Sequence, residues 1–256
     1  KKVDLKNFVC FGSDASPCPE DNLYRIIGVF DGKVKLVKYL FATEDLLGTD
    51  GTYVGYDGYT SFYSGTLTNT CPDSLAFAND NSIKRLTNKK IIAAGAIDDG
   101  NYCDKWQYSE LNTINLNTNF ISNIGTTWSN KIQLSKWKIN ANIDETQSSS
   151  QIYKAEVFSN TLTYEAKIGL IYVSDFCFAA NPDVWTVNLD KSMRVTNDWL
   201  ASDDGTWSIS LLHLQNSIQW ISPFSNDGRV KPTFYLHNGV AYVSGTGTQS
   251  DPIRIN

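Results

Sequence analysis

Histidine and methionine are almost missing from this sequence, which has two histidines and one methionine among 256 residues. His213 and His237 stand outside metal-binding spacings such as HExxH, and each is better explained as a strand residue than as a catalyst. The chain also has no GxSxG elbow, no P-loop and no GxGxxG motif. Because no base is placed to activate a nucleophile, the sequence predicts a protein that is not an enzyme.

Charge and long apolar runs are also scarce. Charged residues make up 19% of the chain, the net charge is −5 and the pI is near 5.0, which argues against nucleic acid as a partner. No apolar run approaches the roughly 20 residues of a transmembrane helix, so we expect no membrane insertion of this segment. The opening "KKVDLKNFVCF" lacks the apolar stretch of a signal peptide, and we expect that any targeting segment has been removed.

The five cysteines include no CxxC pair, which disfavours zinc binding and redox chemistry. Cys10 and Cys18 enclose a turn-rich segment and are predicted to form a small disulfide loop. Cys71 and Cys103 are candidates for a second disulfide, although spacing alone does not decide the pairing. Cys177 lies between apolar residues and is predicted to be a buried free thiol. Two disulfides would indicate an oxidising, extracellular environment.

Seven Asp-Gly or Asn-Gly steps punctuate the chain and predict turns between strands. The clearest hairpin is predicted from Leu23 to Leu40, with Asp31-Gly32 at its tip. A second hairpin is predicted around Asn238-Gly239. The apolar runs "KIGLIYV" (167–173) and "GTWSISLL" (205–212) are predicted to be buried strands.

Helices are predicted to be few and short. One segment has Ser109 as a possible N-cap and Gly125 as a stop, and it reads equally well as one helix or two. Another is predicted to begin at Ser174 and to end before Pro182. The polar stretch 142–163 is predicted to be a loop. The fold class expected is α+β, with a single domain over residues 1–256.

The segment "GTDGTYVGYDGYTSFYSG" combines five aromatic residues with five glycines. Its aromatic residues recur three apart, which neither a strand of period two nor a glycine-poor helix explains, so irregular backbone is expected. One interpretation is a binding loop that stacks on sugar rings or peptide, and the other is a loop that packs its own aromatic side chains. The ligand-binding candidates are Tyr53, Tyr56, Tyr59 and Phe62, with Trp199 as a possible helper.

The order of several motifs carries a resemblance that covers most of the chain. The motifs are "LYRIIGVF", "KIGLIYVSDFCFAA", "NDWLASDDGTWSISL" and "VKPTFYL". They resemble a family of bacterial surface proteins with "LYRIIGVF", "KIGLMYVSDYGYAA", "NWL…EWTIS" and "VRPVFYL" in the same order. Lys231 departs from the arginine of that pattern, and Cys177 departs from a small residue. The resemblance implies an extracellular, cell-surface protein.

The same layout is distantly similar to the formylglycine-generating-enzyme type of C-type lectin fold. This similarity implies a twisted antiparallel sheet with two or three short helices and long loops, and a lectin-like core over residues 165–256. The catalytic cysteine pair of those enzymes has no counterpart here, because Cys177 stands alone in its region. The similarity therefore implies no enzymatic activity.

A calcium site is a further possibility within the lectin interpretation. Sugar-binding C-type lectins use an acidic, proline-containing tripeptide and a later Asn-Asp pair, and calcium prefers oxygen ligands. The matching positions are Asp183 after Pro182, and Asn197 with Asp198. The alternative is that the chain simply turns at Pro182 and at Asn197.

Two functional classes follow from these features. The first is a non-catalytic adhesion module that binds a glycan or a surface protein. The second is a structural subunit of a surface fibre or pilus, in which aromatic residues pack against neighbouring copies through self-association. Neither class requires a cofactor, apart from the possible calcium ion.

Overall fold

A computed structural model describes ten segments of the chain, which together contain strands and short helices. These segments are residues 6–49, 52–54, 60–62, 111–138, 148–159, 163–175, 198–203, 209–212, 218–221 and 230–256. The strands are β1 (Phe8–Cys10), β2 (Leu23–Phe30), β3 (Lys33–Lys38), β4 (Thr52–Val54), β5 (Thr60–Phe62), β6 (Ser135–Lys138), β7 (Thr163–Ala166), β8 (Asp198–Asp203), β9 (Ile209–Leu212), β10 (Ile218–Ile221), β11 (Thr233–Tyr235), β12 (Tyr242–Ser244) and β13 (Arg254–Ile255). The α-helices are α1 (Glu44–Leu47), α2 (Ile121–Asn123), α3 (Thr126–Ser129) and α4 (Ser149–Tyr153). The fold is α+β, and the pairs among these thirteen strands are antiparallel.

The main sheet has the strand order β1-β2-β3-β11. Its centre is the predicted hairpin, in which β2 and β3 are joined by Asp31 and Gly32. These two residues have φ angles of 50° and 74°, as a two-residue turn that follows the twist of its strands requires. The sequence prediction of the hairpin and its tip is confirmed, although regular pairing ends at Lys38 rather than at Leu40.

Both edges of the main sheet are extended by further backbone pairing. On one side, Thr233 of β11 pairs with Val37 and also bridges Gly169. On the other side, Ile253 forms a parallel bridge with Val9. Segments from the two ends and the middle of the chain therefore meet in one sheet.

The predicted hairpin around Asn238-Gly239 is wrong. The strand before it, β11, pairs with β3, and the strand after it, β12, pairs with β13. The chain leaves the main sheet at His237, whose N–H donates to the carbonyl of Lys131 at 2.7 Å. A local Asn-Gly turn signal has here been outweighed by pairing with strands that are distant in sequence.

A helical segment runs from Leu111 into α2 and ends at Gly125. Residues Leu111–Phe120 form a π-helix, and Gly125 has a φ angle of 79°. The predicted stop at Gly125 is confirmed, because glycine adopts this left-handed conformation at little cost. The predicted start, Ser109, lies outside the described residues.

The prediction of a loop over residues 142–163 is wrong for part of that stretch. Helix α4 begins after Ser148, whose N–H donates to the Gln151 side chain at 2.8 Å in a capping box. A π-helical segment, Lys154–Ser159, continues it. The polar composition of the stretch gave no sign that two of its side chains are buried: Ile152 and Glu156 are 2% and 0% exposed.

The run 167–173 is buried as predicted, but it is not a regular strand. Regular pairing ends one residue earlier, at Ala166 of β7, and Gly169 forms only the isolated bridge to Thr233. The chain is helical at residues 173–175, so Ser174 lies inside the first turn and is not its cap.

The hydrophobic core is organised around aromatic rings from distant parts of the sequence. The ring of Phe11 lies 4.7 Å from that of Phe234, 5.0 Å from that of Trp128 and 5.4 Å from that of Tyr24. Phe120 brings the π-helical segment into the same cluster. In the part of the chain that the structure describes, no helix has the length and apolar character needed to cross a membrane.

A methyl group added at Gly169 should destabilise the fold. A Cβ there would lie 2.5 Å from Cδ2 of the buried Trp137, so Gly169→Ala is expected to lower the free energy of unfolding by about 1–2 kcal/mol. Urea denaturation of the variant measures this change. The control is Gly239→Ala, whose Cβ would meet its nearest neighbour, the His237 side chain, at 3.4 Å. Equal stability of the two variants would contradict the prediction.

Candidate functional site

A buried ion pair joins the centre of the main sheet to the helical turn at residues 173–175. Nζ of Lys35 lies 2.5 Å from Oδ2 of Asp175, and the two side chains are 1% and 2% exposed. Lys35 lies in β3, between β2 and β11, and its side chain is buried where it leaves the face of the sheet. A buried charge requires a partner of opposite sign, and Asp175 supplies it.

Four aromatic rings surround the ammonium group of Lys35. Nζ lies 4.2 Å from the ring centroid of Tyr172, 5.4 Å from Trp137, 5.5 Å from Tyr235 and 5.7 Å from Phe30. Each ring face attracts a cation, and together the rings exclude water from the pair. We call Lys35, Asp175 and these four rings the Lys35 cage.

The carboxylate side of the cluster is built on the first turn of the helix. Oδ2 of Asp175 accepts the N–H of Tyr172 at 2.8 Å. A second buried carboxylate, that of Glu156, accepts the N–H of Val173 at 3.0 Å and that of Ser174 at 2.9 Å. Three backbone donors at the start of this turn are thereby satisfied by acidic side chains, which is favourable at the positive end of a helix.

The protonation of the cage follows from burial and from the ion pair. Burial is the largest single cause and lowers the pKa of Lys35, but Asp175, Tyr235 and Glu156 together outweigh it, and the net pKa is raised. Burial is also the main cause that raises the pKa of Tyr172 and of Tyr235. At neutral pH the cage therefore holds a charged lysine beside neutral phenols.

A second buried lysine, Lys38, lies on the same strand, and no carboxylate among the described residues forms an ion pair with it. Its Nζ donates to the backbone carbonyl of Asp21 and lies 5.6 Å from the ring centroid of Tyr24. Burial lowers the pKa of Lys38 to about 8, and the Asp21 carboxylate only partly opposes this effect. A third lysine, Lys231, is also fully buried.

The lowered pKa of Lys38 predicts a stability that rises with pH above about 8. Between this pKa and the ordinary value of 10.5, the unfolded chain binds more protons than the folded chain. The free energy of unfolding should therefore rise by up to about 1.4 kcal/mol for each pH unit in this window. In Lys38→Met this rise should be absent.

Urea denaturation of the two proteins between pH 8 and pH 10 measures the difference. The upper limit of pH 10 is set by Tyr24, whose pKa is raised by burial. Above pH 10 the Tyr24 phenol stays protonated in the folded protein, while it ionises in the unfolded chain. That effect lowers stability above pH 10 in both proteins. Identical pH slopes for the two proteins below pH 10 would show that Lys38 is charged in the folded state.

The glycine- and tyrosine-rich segment forms paired strands at its two ends. Tyr53 of β4 pairs with Ser61, and Phe62 of β5 pairs with Thr52. The expectation of irregular backbone is wrong at these positions, since antiparallel pairing carries Tyr53 and Phe62 into one hairpin. Tyr56 and Tyr59, in the connection between the strands, lie outside the described residues.

Two of the other predicted binding residues lie in a three-stranded antiparallel sheet. Trp199 and Asp198 belong to β8, which pairs with β9, and β9 pairs with β10. Asp183 and Asn197 lie outside the described residues. Within the segments that the structure covers, no three metal-ligating side chains come together. The calcium site stays a prediction.

The predicted Cys10–Cys18 disulfide is present. The S–S distance is 1.99 Å and the Cα atoms are 6.0 Å apart. Arg254, in the last strand, donates to Sγ of Cys10 at 3.2 Å and to the carbonyl of Ala15 at 2.7 Å, which ties the C-terminal strand to the disulfide loop. Cys71, Cys103 and Cys177 lie outside the described residues.

Sequence reasoning missed the cage around Lys35. No clear signal was present in "KVKLVK", since side chains alternate between the two faces of a strand and Lys33 of the same run is only half-buried. Glu156 had no signal of its own, because it lies in the polar stretch 142–163, whose composition is typical of a loop.

Comparison with known proteins found no relative of this chain. No protein-family model matches the chain, and no match was found among curated proteins or solved structures. The resemblance to bacterial surface proteins and to the C-type lectin fold stays a prediction.

Proposed function

We propose that the chain is a non-catalytic adhesion module of an extracellular bacterial surface protein, which binds a glycan through its glycine- and tyrosine-rich hairpin. The observation that carries this proposal is the pairing of β4 with β5. This pairing makes one hairpin of the segment that contains Tyr53 and Phe62, and the five residues between its strands include Tyr56 and Tyr59. Tyrosines carried by a β-hairpin offer flat faces for stacking on sugar rings at low entropic cost.

The disulfide supports an oxidising location for the proposed module. Disulfides persist in secreted and surface proteins and are rare in the reducing cytosol. The loop between Cys10 and Cys18 is short and is joined to the C-terminal strand through Arg254. This arrangement suits a domain that functions outside the cell.

The proposal includes a calcium ion that supports glycan binding. Under the lectin interpretation, Asp183, Asn197 and Asp198 are the proposed ligands of one calcium ion, and Trp199 is the proposed sugar contact. The main sheet with short helices and the meander β8–β9–β10 are compatible with such a layout. The calcium dependence of binding is therefore part of the test.

A second candidate function is that of a structural subunit in a surface fibre. The observation that favours it is the exposure of Tyr242 and Val243, at 66% and 58%, on the two-stranded ribbon of β12 and β13. Apolar side chains exposed on a short ribbon suit packing against a second copy. Sedimentation over a range of protein concentrations distinguishes the two functions, since a fibre subunit self-associates and the adhesion module stays monomeric.

A glycan array with the purified chain tests the proposed function. We expect binding to a restricted set of glycans, and we expect chelation of calcium to remove it if the three acidic and amide residues hold the ion. Binding that survives chelation would overturn the calcium site but not the hairpin. Absence of any glycan signal, together with concentration-dependent association, would replace the adhesion module by the fibre subunit.

A further inference from the structure

The Lys35–Asp175 contact places an amine directly against a carboxyl group. Nζ is 2.5 Å from Oδ2, and the carboxyl carbon is one covalent bond further on, at about the 3–3.5 Å separation of a near-attack conformer. The two residues are 140 positions apart in sequence and are held by different elements, β3 and the turn at residues 173–175. The fold therefore already holds the lysine nitrogen close to the carboxyl carbon.

The surroundings keep bulk water away from the pair, since both side chains are almost fully buried. Condensation requires one proton to pass from the ammonium group to the carboxylate across their hydrogen bond. This transfer produces a neutral amine and a carboxylic acid, which are the reactive forms. The aromatic rings of the Lys35 cage keep out water, the molecule that would hydrolyse the product.

Glu156 is a positioning residue in this arrangement. Its two oxygens hold the N–H groups of Val173 and Ser174, the two residues directly before Asp175. Because Glu156 is fully buried, it fixes this backbone from inside the protein. The Tyr172 N–H, which donates to Oδ2 of Asp175, fixes the carboxyl group itself.

We propose that Lys35 and Asp175 condense to an intramolecular amide. The lysine nitrogen attacks the carboxyl carbon of the protonated Asp175, a C–N bond forms, and the C–OH bond breaks. The hydroxyl leaves as water with one proton from the amine, so one ammonium and one carboxylate become one amide and one water. No oxidant, metal or second protein is required. The bond ties β3 to the turn at residues 173–175, across 140 positions of sequence.

Intact-mass measurement of the full chain after reduction of disulfides tests this proposal. We expect the wild-type mass to be lower than the sequence mass by one water molecule, and a protease digest to contain a branched peptide that joins Lys35 to Asp175. Lys35→Met should have the full sequence mass. The control Lys38→Met removes a different buried lysine of the same strand and should keep the loss of water.

The Asp175→Asn variant and a control for succinimide formation complete the test of the amide. Asp175→Asn can form the same amide with release of ammonia, so its mass should fall by one ammonia molecule, a signature that does not depend on the folding of Lys35→Met. Asp-Gly steps such as Asp31-Gly32 can also lose water as a succinimide, and a loss that persists in Lys35→Met would therefore overturn the proposal. A folded wild-type chain with the full sequence mass would overturn it as well.

Discussion

Replacement of Lys35 by methionine is expected to lower the free energy of unfolding by at least about 3 kcal/mol, because it leaves the buried Asp175 carboxylate without its cation. The four rings of the cage would then face a carboxylate instead of an ammonium group, which reverses the sign of their interaction. Urea denaturation followed by circular dichroism measures the change. If the amide has formed in the wild-type protein, the loss is larger.

The matched control is Lys136→Met, which removes a lysine from an exposed ion pair. Lys136 and Glu165 are 3.9 Å apart, with side chains 72% and 60% exposed. A pair of this kind contributes less than about 1 kcal/mol, since water screens both charges. Equal effects of Lys35→Met and Lys136→Met would show that the cage is not a stabilising centre.

A double variant separates the charge effect from packing. In Lys35→Met/Asp175→Asn the asparagine oxygen still accepts the Tyr172 N–H, but no negative charge remains at position 175. The double variant should therefore be more stable than Lys35→Met alone, with a coupling energy of about 1–3 kcal/mol. If the losses of unfolding free energy in the two single variants simply add up in the double variant, the destabilisation by Lys35→Met arises from lost packing and not from the unpaired carboxylate.

Loss of the Cys10–Cys18 disulfide is the second large effect, and we expect it to lower the free energy of unfolding by about 3 kcal/mol. The crosslink closes a loop with a sequence separation of 8, and it thereby restricts the unfolded chain. The variant is Cys10→Ser/Cys18→Ser, measured by urea denaturation under non-reducing conditions. It also loosens the contact of Arg254 with Sγ of Cys10.

Reduction of the wild-type protein provides the control for that variant. A thiol reductant should shift the wild-type midpoint toward that of the double serine variant and should leave the variant itself unchanged. A reductant that also shifts the variant would point to a further disulfide, for which Cys71 and Cys103 are the candidates. Unchanged stability in the double serine variant would contradict the prediction.

Local signals in the sequence were sufficient for the hairpin and for the helix stop. Asp31-Gly32 requires two positive φ angles and lies between two β-rich runs, so neighbours in sequence decide its structure. Gly125 ends its helix for the same local reason. The disulfide loop of Cys10 and Cys18 was equally predictable, because its partners are close in sequence.

Non-local pairing could not be predicted from these signals. Asn238-Gly239 is as good a turn signal as Asp31-Gly32, yet the strands beside it pair with β3 and β13. The Lys35 cage assembles a lysine and an aspartate 140 positions apart, and no local pattern links them. Glu156 illustrates the same limit, because only the folded chain brings it to the backbone N–H groups of residues 173 and 174.

The most direct test of the central claim, glycan binding through the hairpin, compares Tyr56→Ala/Tyr59→Ala with wild type on a glycan that the array identifies. Both Kd and Tm are measured, and Tyr242→Ala is the control for an exposed tyrosine outside the hairpin. The account predicts that the double variant loses about 1–3 kcal/mol of binding free energy while its Tm stays unchanged. Tyr242→Ala should keep both values. A fall in Tm that corresponds to several kcal/mol of lost stability would show that these tyrosines belong to the core, and it would contradict the claim.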